Sequence, residues 1–186
     1  MARKDWSNPD AEMELYWEAL RREFYEICDY LSSGNISDLE FAAEIVDEFP
    51  LGRDGFFEDH WIINAIGCGS VESIEWMIEK GVELRPTATS GTPPVFSCVE
   101  RETKDKHRIL EILIKAGADI DERGYNGWTP LHLAALRDDE QSMQMLLDAG
   151  ADRSKRTGCD DDATAEEEAR TLGHARSANF IANFQD

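Results

Sequence analysis

Hydrophobic positions in this chain fall at helical spacing in successive pairs of runs. Met13, Tyr16, Trp17, Leu20, Phe24, Ile27 and Leu31 recur every three or four residues. That spacing predicts a long amphipathic helix with an aromatic-rich buried stripe. Ser7-Asn8-Pro9-Asp10 ahead of it reads as a helix start, a capping side chain followed by proline and an acid. Ser32-Ser33-Gly34-Asn35 breaks the run, and Ser37 with Glu40 has the spacing of a capping box for a second helix. Leu39, Ala42, Ala43, Val46 and Phe49 form the second stripe, which Pro50 and Gly52 end.

The clearest pair lies further on. Thr129 is placed to cap a helix whose first position is Pro130, where the missing N–H costs nothing. Leu131 and Leu133 supply bulk, and Ala134 and Ala135 are small enough to let a second helix approach. That second helix carries Met143, Leu146 and Leu147, and Gly150 is expected to end it, as a residue free to adopt the left-handed conformation. Thr129-Pro130-Leu131-His132 and Gly150-Ala151-Asp152 resemble the start and end of an ankyrin repeat. The resemblance implies an all-α solenoid of stacked helix-turn-helix units with projecting hairpin loops, usually serving as a protein-binding surface. It says little about which partner.

The same frame extends both ways. Counting back 21 residues from Gly81, the distance from Thr129 to Gly150, puts His60 at the threonine position. Ile62, Ala65 and Ile66 then line the first helix, Gly69 the turn, and Ile74, Met77 and Ile78 the second helix. Another unit opens at Thr92-Pro93-Pro94 and closes at Gly117-Ala118-Asp119, with Ile109, Leu110, Leu113 and Ile114 on its second helix. Gly81 to Gly117 is 36 residues and Gly117 to Gly150 is 33, against a family period of about 33. The surplus falls in the charged stretch 100–107, at a turn facing away from the hairpin tips, where a solvated loop is expected. A last unit runs from Thr164 through Gly173-His174 to Phe180, Ile181 and Phe184, with Glu166, Glu167 and Glu168 suited to a helix N-terminus. The chain thus reads as one solenoid domain over 1–186. Its units are a divergent helical N-terminal cap at 8–50, repeats at 54–83, 87–119 and 124–152, and a C-terminal cap at 160–184. Acids in the first pair are expected to give the cap its polar outer face.

A formal charge of −20 and a pI near 4.5 turn attention from nucleic acid and anionic membranes towards a partner with a basic face. With 41% hydrophobic residues, wholesale disorder is disfavoured. Cys28, Cys68, Cys98 and Cys159 are too far apart for structural zinc or a dense disulfide framework, so buried free thiols in a reducing compartment are expected. No signal peptide or membrane-spanning run is legible, and the reading is of a cytoplasmic monomer.

Candidate chemistry is sparse. His132 and His174 stand at family positions, while His60 and His107 lack sequence neighbours that would build a triad or a metal site. Glu58-Asp59-His60 can be drawn as an acid–base group but falls at a loop and helix start. Asp160-Asp161-Asp162 with Glu166 lacks the alternating ligands and glycine hinge of a calcium loop. The expectation is no enzyme, no metal and no cofactor. The informative residues are those the fold does not require, in the loops before each threonine position and on the exposed side of each first helix. They are Phe56, Phe57 and Asp59, then Ala88-Thr89, then Tyr125, Asn126 and Trp128, then Asp160 and Asp161, with Leu136 and Arg137 extending the third group. Tyrosine and tryptophan are frequent interface anchors, and acids steer a positive partner. For Phe56 and Phe57, packing against neighbouring hairpins stands as an equal alternative. The expected function is a non-catalytic binder or inhibitor of a basic protein, an immunity or antitoxin-type protein being one concrete form. The alternatives are an acidic mimic of nucleic acid and a structural or solubility role.

Overall fold

Short apolar stripes between glycine and proline breaks make short helices, and ten α-helices follow one another in pairs among the described residues. The structure, a computed structural model, describes residues 9–85, 92–158 and 162–185. The pairs are α1 (Pro9–Ser33) with α2 (Ile36–Ile45), α3 (Trp61–Cys68) with α4 (Val71–Glu79), and α5 (Pro94–Glu100) with α6 (Lys106–Lys115). They continue with α7 (Pro130–Leu136) and α8 (Glu140–Asp148), then α9 (Ala165–Thr171) and α10 (Ala175–Asn183). First helices pack on first helices, α1 on α3 on α5 on α7 on α9, and second helices form a parallel outer row. One continuous core runs between the rows, from Phe24 and Leu31 through Trp61, Phe96 and Leu113 to Ile181.

Local chemistry sets the ends of these helices. After α4, α6 and α8 the chain turns at Gly81, Gly117 and Gly150, with φ of 85°, 83° and 89°. The next residue's N–H closes back on the helix, as from Ala118 to the Leu113 carbonyl at 3.0 Å, which satisfies a carbonyl the helix would leave orphaned. Thr164 and Glu167 form a reciprocal capping box at α9. At α2 the cap differs from the sequence expectation. Asn35, not Ser37, caps the helix by accepting from the Ser37 N–H at 3.1 Å. Glu40 is thereby free to reach across to Trp76 Nε1 at 2.9 Å and to Lys80. In the third pair Pro93 takes the cap position and Pro94 the first helical one.

Two expectations fail in instructive ways. The stretch between α5 and α6 is not simply a solvated loop. Arg101 turns inward, its side chain 6% exposed, and donates to the carbonyls of Ile66 at 2.6 Å and Gly69 at 2.7 Å. It supplies donors to the C-terminal end of α3 in the preceding pair, and Asp105 balances its charge at 3.0 Å. The second failure is in α1. Phe24, Ile27 and Leu31 are buried, but Met13, Tyr16 and Trp17 on the same stripe are 56%, 57% and 47% exposed. Nothing else in the described chain covers the first turns of this helix, so its outer face is apolar as well as acidic.

Ion pairs cross every junction of the outer row: Glu40 with Lys80, Glu75 with Arg108, Asp139 with Lys106, and Glu140 with Arg176, and His107 adds a hydrogen bond to Asp139. Asp139 also caps α8 through Ser142. Burial pushes the Asp139 carboxyl up, but Lys106, Ser142 and His107 outweigh it and hold the group well below the usual carboxylate range.

Candidate protein-binding surface

The loop before α7 is a tight, self-bonded structure. Gly124 N–H donates to the Trp128 carbonyl at 2.9 Å and Trp128 N–H to the Tyr125 carbonyl at 3.1 Å. Asn126 and Gly127 both take positive φ, 56° and 68°. A Cβ at Gly127 would sit 1.8 Å from the Thr157 carbonyl oxygen of the next hairpin, so only glycine lets the two loops meet. His132 ties them further. Its Nδ1 lies 3.2 Å from the Thr129 N–H and 2.8 Å from the Thr129 hydroxyl, and its Nε2 lies 3.1 Å from the Ala163 carbonyl. A carbonyl can only accept, so Nε2 carries the proton and Nδ1 accepts. Burial pushes the His132 imidazole below its ordinary pKa.

This loop presents Tyr125. The side chain is 46% exposed, its ring meets Phe96 edge-on with centroids 4.9 Å apart, and its hydroxyl donates to Glu100 Oε1 at 2.7 Å. Partial burial and that carboxylate push the phenol's pKa up. Arg137 donates to the backbone carbonyl of Glu100 at 3.1 Å and pairs with Glu102 at 3.5 Å. Trp128 lies 5.8 Å from Tyr125 and is half-buried against the core, with Leu136 half-buried at the end of α7. Asn126 is exposed at the loop tip. Tyr125, Trp128 and Arg137 are therefore brought together, with Glu100 as the link that sequence reasoning missed. The exposed side expected of the first helix is absent at α7, where every residue from Pro130 to Ala135 is buried.

Phe56, Phe57 and Asp59 do not join this cluster. Their loop is organised by Asp54, a buried carboxylate that accepts from the N–H groups of Phe56 at 2.9 Å and Asp59 at 3.1 Å and from the Asn64 amide at 2.9 Å. It folds the loop against α1. Phe56 packs on the core beside Phe24, while Phe57 is 58% exposed with its ring edge on Phe24. Burial and the neighbouring Asp54 raise the Asp59 pKa, and burial lowers that of His60. Ala88, Thr89, Asp160 and Asp161 lie outside the described residues. Among the described residues no three His, Cys, Asp or Glu side chains converge as metal ligands do, and no helix is long and apolar enough to cross a membrane.

The family model for ankyrin repeats (3 copies) matches residues 60–157. The chain belongs to the ankyrin repeat family. Ankyrin repeats are protein–protein interaction modules. Among similar proteins, protein phosphatase 1 regulatory subunit 27 of Mus musculus is 43% identical over 106 residues, covering 56% of this chain and 62% of the relative. Protein fem-1 homolog A of Danio rerio is 34% identical over 80 residues, 38% of this chain and 13% of the relative. The putative E3 ubiquitin-protein ligase XBAT34 of Arabidopsis thaliana is 29% identical over 128 residues, 67% of this chain and 32% of the relative. The chain spans less than two thirds of the length of each of these relatives. Within the matched ankyrin stretch lie α3 to α8, Tyr125 and its support from Glu100 and Phe96, and the buried Arg101.

Proposed function

We propose that this ankyrin repeat protein is a non-catalytic, stoichiometric binder of a basic protein, which it engages through the surface around Tyr125. The observation that carries this reading is the pre-set tyrosine. It is exposed, yet fixed by Phe96 behind it and Glu100 beside it, so little side-chain freedom is left to lose on binding. A chain charge of −20 favours a cationic partner. Similarity to a protein named as a phosphatase regulatory subunit agrees with a role exercised by binding. Occlusion of a basic toxin is the most specific form of this reading, resting on charge.

The test is a pull-down from the native source lysate, comparing wild type with Tyr125→Ala at low and high salt. Trp128 is a poorer probe because it packs on the core. A basic protein captured by wild type, weakened by salt and lost in Tyr125→Ala supports the proposal and identifies the partner. A partner retained by the variant but stripped by salt contradicts it in favour of charge mimicry.

A further inference from the structure

The first helix pair is mismatched in length. α1 has 25 residues, about 37 Å at 1.5 Å per residue, whereas α2 has 10. The two are antiparallel across a two-residue link, so α2 covers only the C-terminal part of α1. Where α2 stops at Ile45, a groove of about 290 Å³ opens beside α1. Leu20, Ile27 and Val46 form its floor, and Tyr16, Glu23, Glu26 and Ile45 stand exposed on its rim with one cation, Arg22, among them. Beyond the rim the α1 stripe continues through Trp17 and Met13. The vacancy begins where one helix ends and follows another along an i, i+3, i+4 stripe, which is the shape a second helix would fill.

Charge selects the kind of helix. Residues 9–48 carry twelve Asp and Glu against Arg21 and Arg22 alone. A second copy of this chain would bring the same charge to the groove, as would an anionic membrane. We infer that the groove between α1 and the end of α2 is a docking site for a cationic amphipathic helix of a partner protein. The apolar side of that helix lies on Leu20, Tyr16 and Ile45, and its Lys or Arg side chains face Glu23 and Glu26. This site is separate from the Tyr125 surface and stands without it.

The probe is a labelled Leu/Lys peptide with apolar residues at helical spacing, titrated with the full chain and followed by fluorescence anisotropy. A peptide of the same composition in shuffled order serves as comparison. Expected is saturable one-to-one binding, weakened at least about tenfold by Tyr16→Ser/Ile45→Ser and by Glu23→Lys, and unchanged by Tyr125→Ala. The shuffled peptide should bind at least about tenfold more weakly. All of the groove substitutions fall at exposed positions, so circular dichroism should show an unchanged fold. Equal binding by the Tyr16→Ser/Ile45→Ser variant, equal binding of the shuffled peptide, or no binding would overturn the proposal. So would a dimer in sedimentation that these substitutions dissociate, since a second copy would then be the occupant.

Discussion

The middle of the stack and its first helix pair handle surface chemistry in opposite ways. From α5 to α8 nearly every group that needs a partner has one. Arg101 serves the carbonyls ending α3, Asp139 gathers Lys106, His107 and Ser142, and His132 binds both its own loop and the next hairpin. In the first pair, an apolar stripe built like the others runs on past its cover, so that Tyr16 and Trp17 face outward. A repeat closes its own surface with neighbours on both sides. The first pair has a neighbour on one side within the described chain, and its longer helix outruns even that. Apolar surface is thus left open at the first pair because its intramolecular cover ends there, whereas the middle of the stack exposes a side chain such as Tyr125 only after fixing it against Phe96 and Glu100.

Arg101→Ala should break the closed region most severely. It orphans two helix-end carbonyls and leaves Asp105 unpaired, at a cost of about 3 kcal/mol in urea unfolding. His132→Ala should follow at about 2 kcal/mol at pH 7. This loss depends on pH in a defined direction. Burial depresses the folded-state pKa of His132 below its ordinary 6.5, so its contribution is full above pH 6.5 and declines as pH falls through the folded-state value. The gap between wild type and variant should therefore narrow from pH 7 to pH 5. Asp139, held below its ordinary 3.8, loses its contribution only at more acid pH and should not alter that comparison.

Thiol chemistry draws the contrast on a smaller scale. The neighbouring Cys28 thiol, aided by Arg101, outweighs burial and lowers the exposed Cys68 thiol, whereas burial pushes Cys98 up to about 12. Labelling with iodoacetamide at pH 7.5, followed by mass spectrometry, should modify Cys68 at least about tenfold faster than Cys98. The smallest effect belongs to the open region. Trp17→Ser should change stability by no more than about 0.5 kcal/mol, because the side chain already faces solvent. A larger loss would mean that the start of α1 is covered after all.

Much of this organisation is legible in the sequence because a repeat carries its own ruler. The 21 residues from Thr129 to Gly150, counted back from Gly81, locate His60 at the N-cap position of α3, although its side chain makes no capping hydrogen bond there. Periodicity names the apolar face of a helix but not whether anything lies against it, so the Met13–Leu31 stripe reads as uniformly buried. Charge near 100–107 suggests solvent, yet Arg101 is buried because carbonyls more than thirty residues upstream require donors. Glu100, 25 residues before Tyr125, was invisible as its partner for the same reason. At α2 the capping-box spacing points to Ser37, but the chain leaves the left-handed turn at Gly34 with Asn35 at the N-cap, so the helix starts two residues earlier.

The most direct measurement is hydrogen exchange on the protein alone and in complex with the basic protein that wild type captures and Tyr125→Ala does not. Added protection over 121–128 and around Glu100 is expected, with the outer row α6 and α8 unchanged because its charges are already paired. Protection gained on that outer row, with none in the Tyr125 loop, would contradict the account.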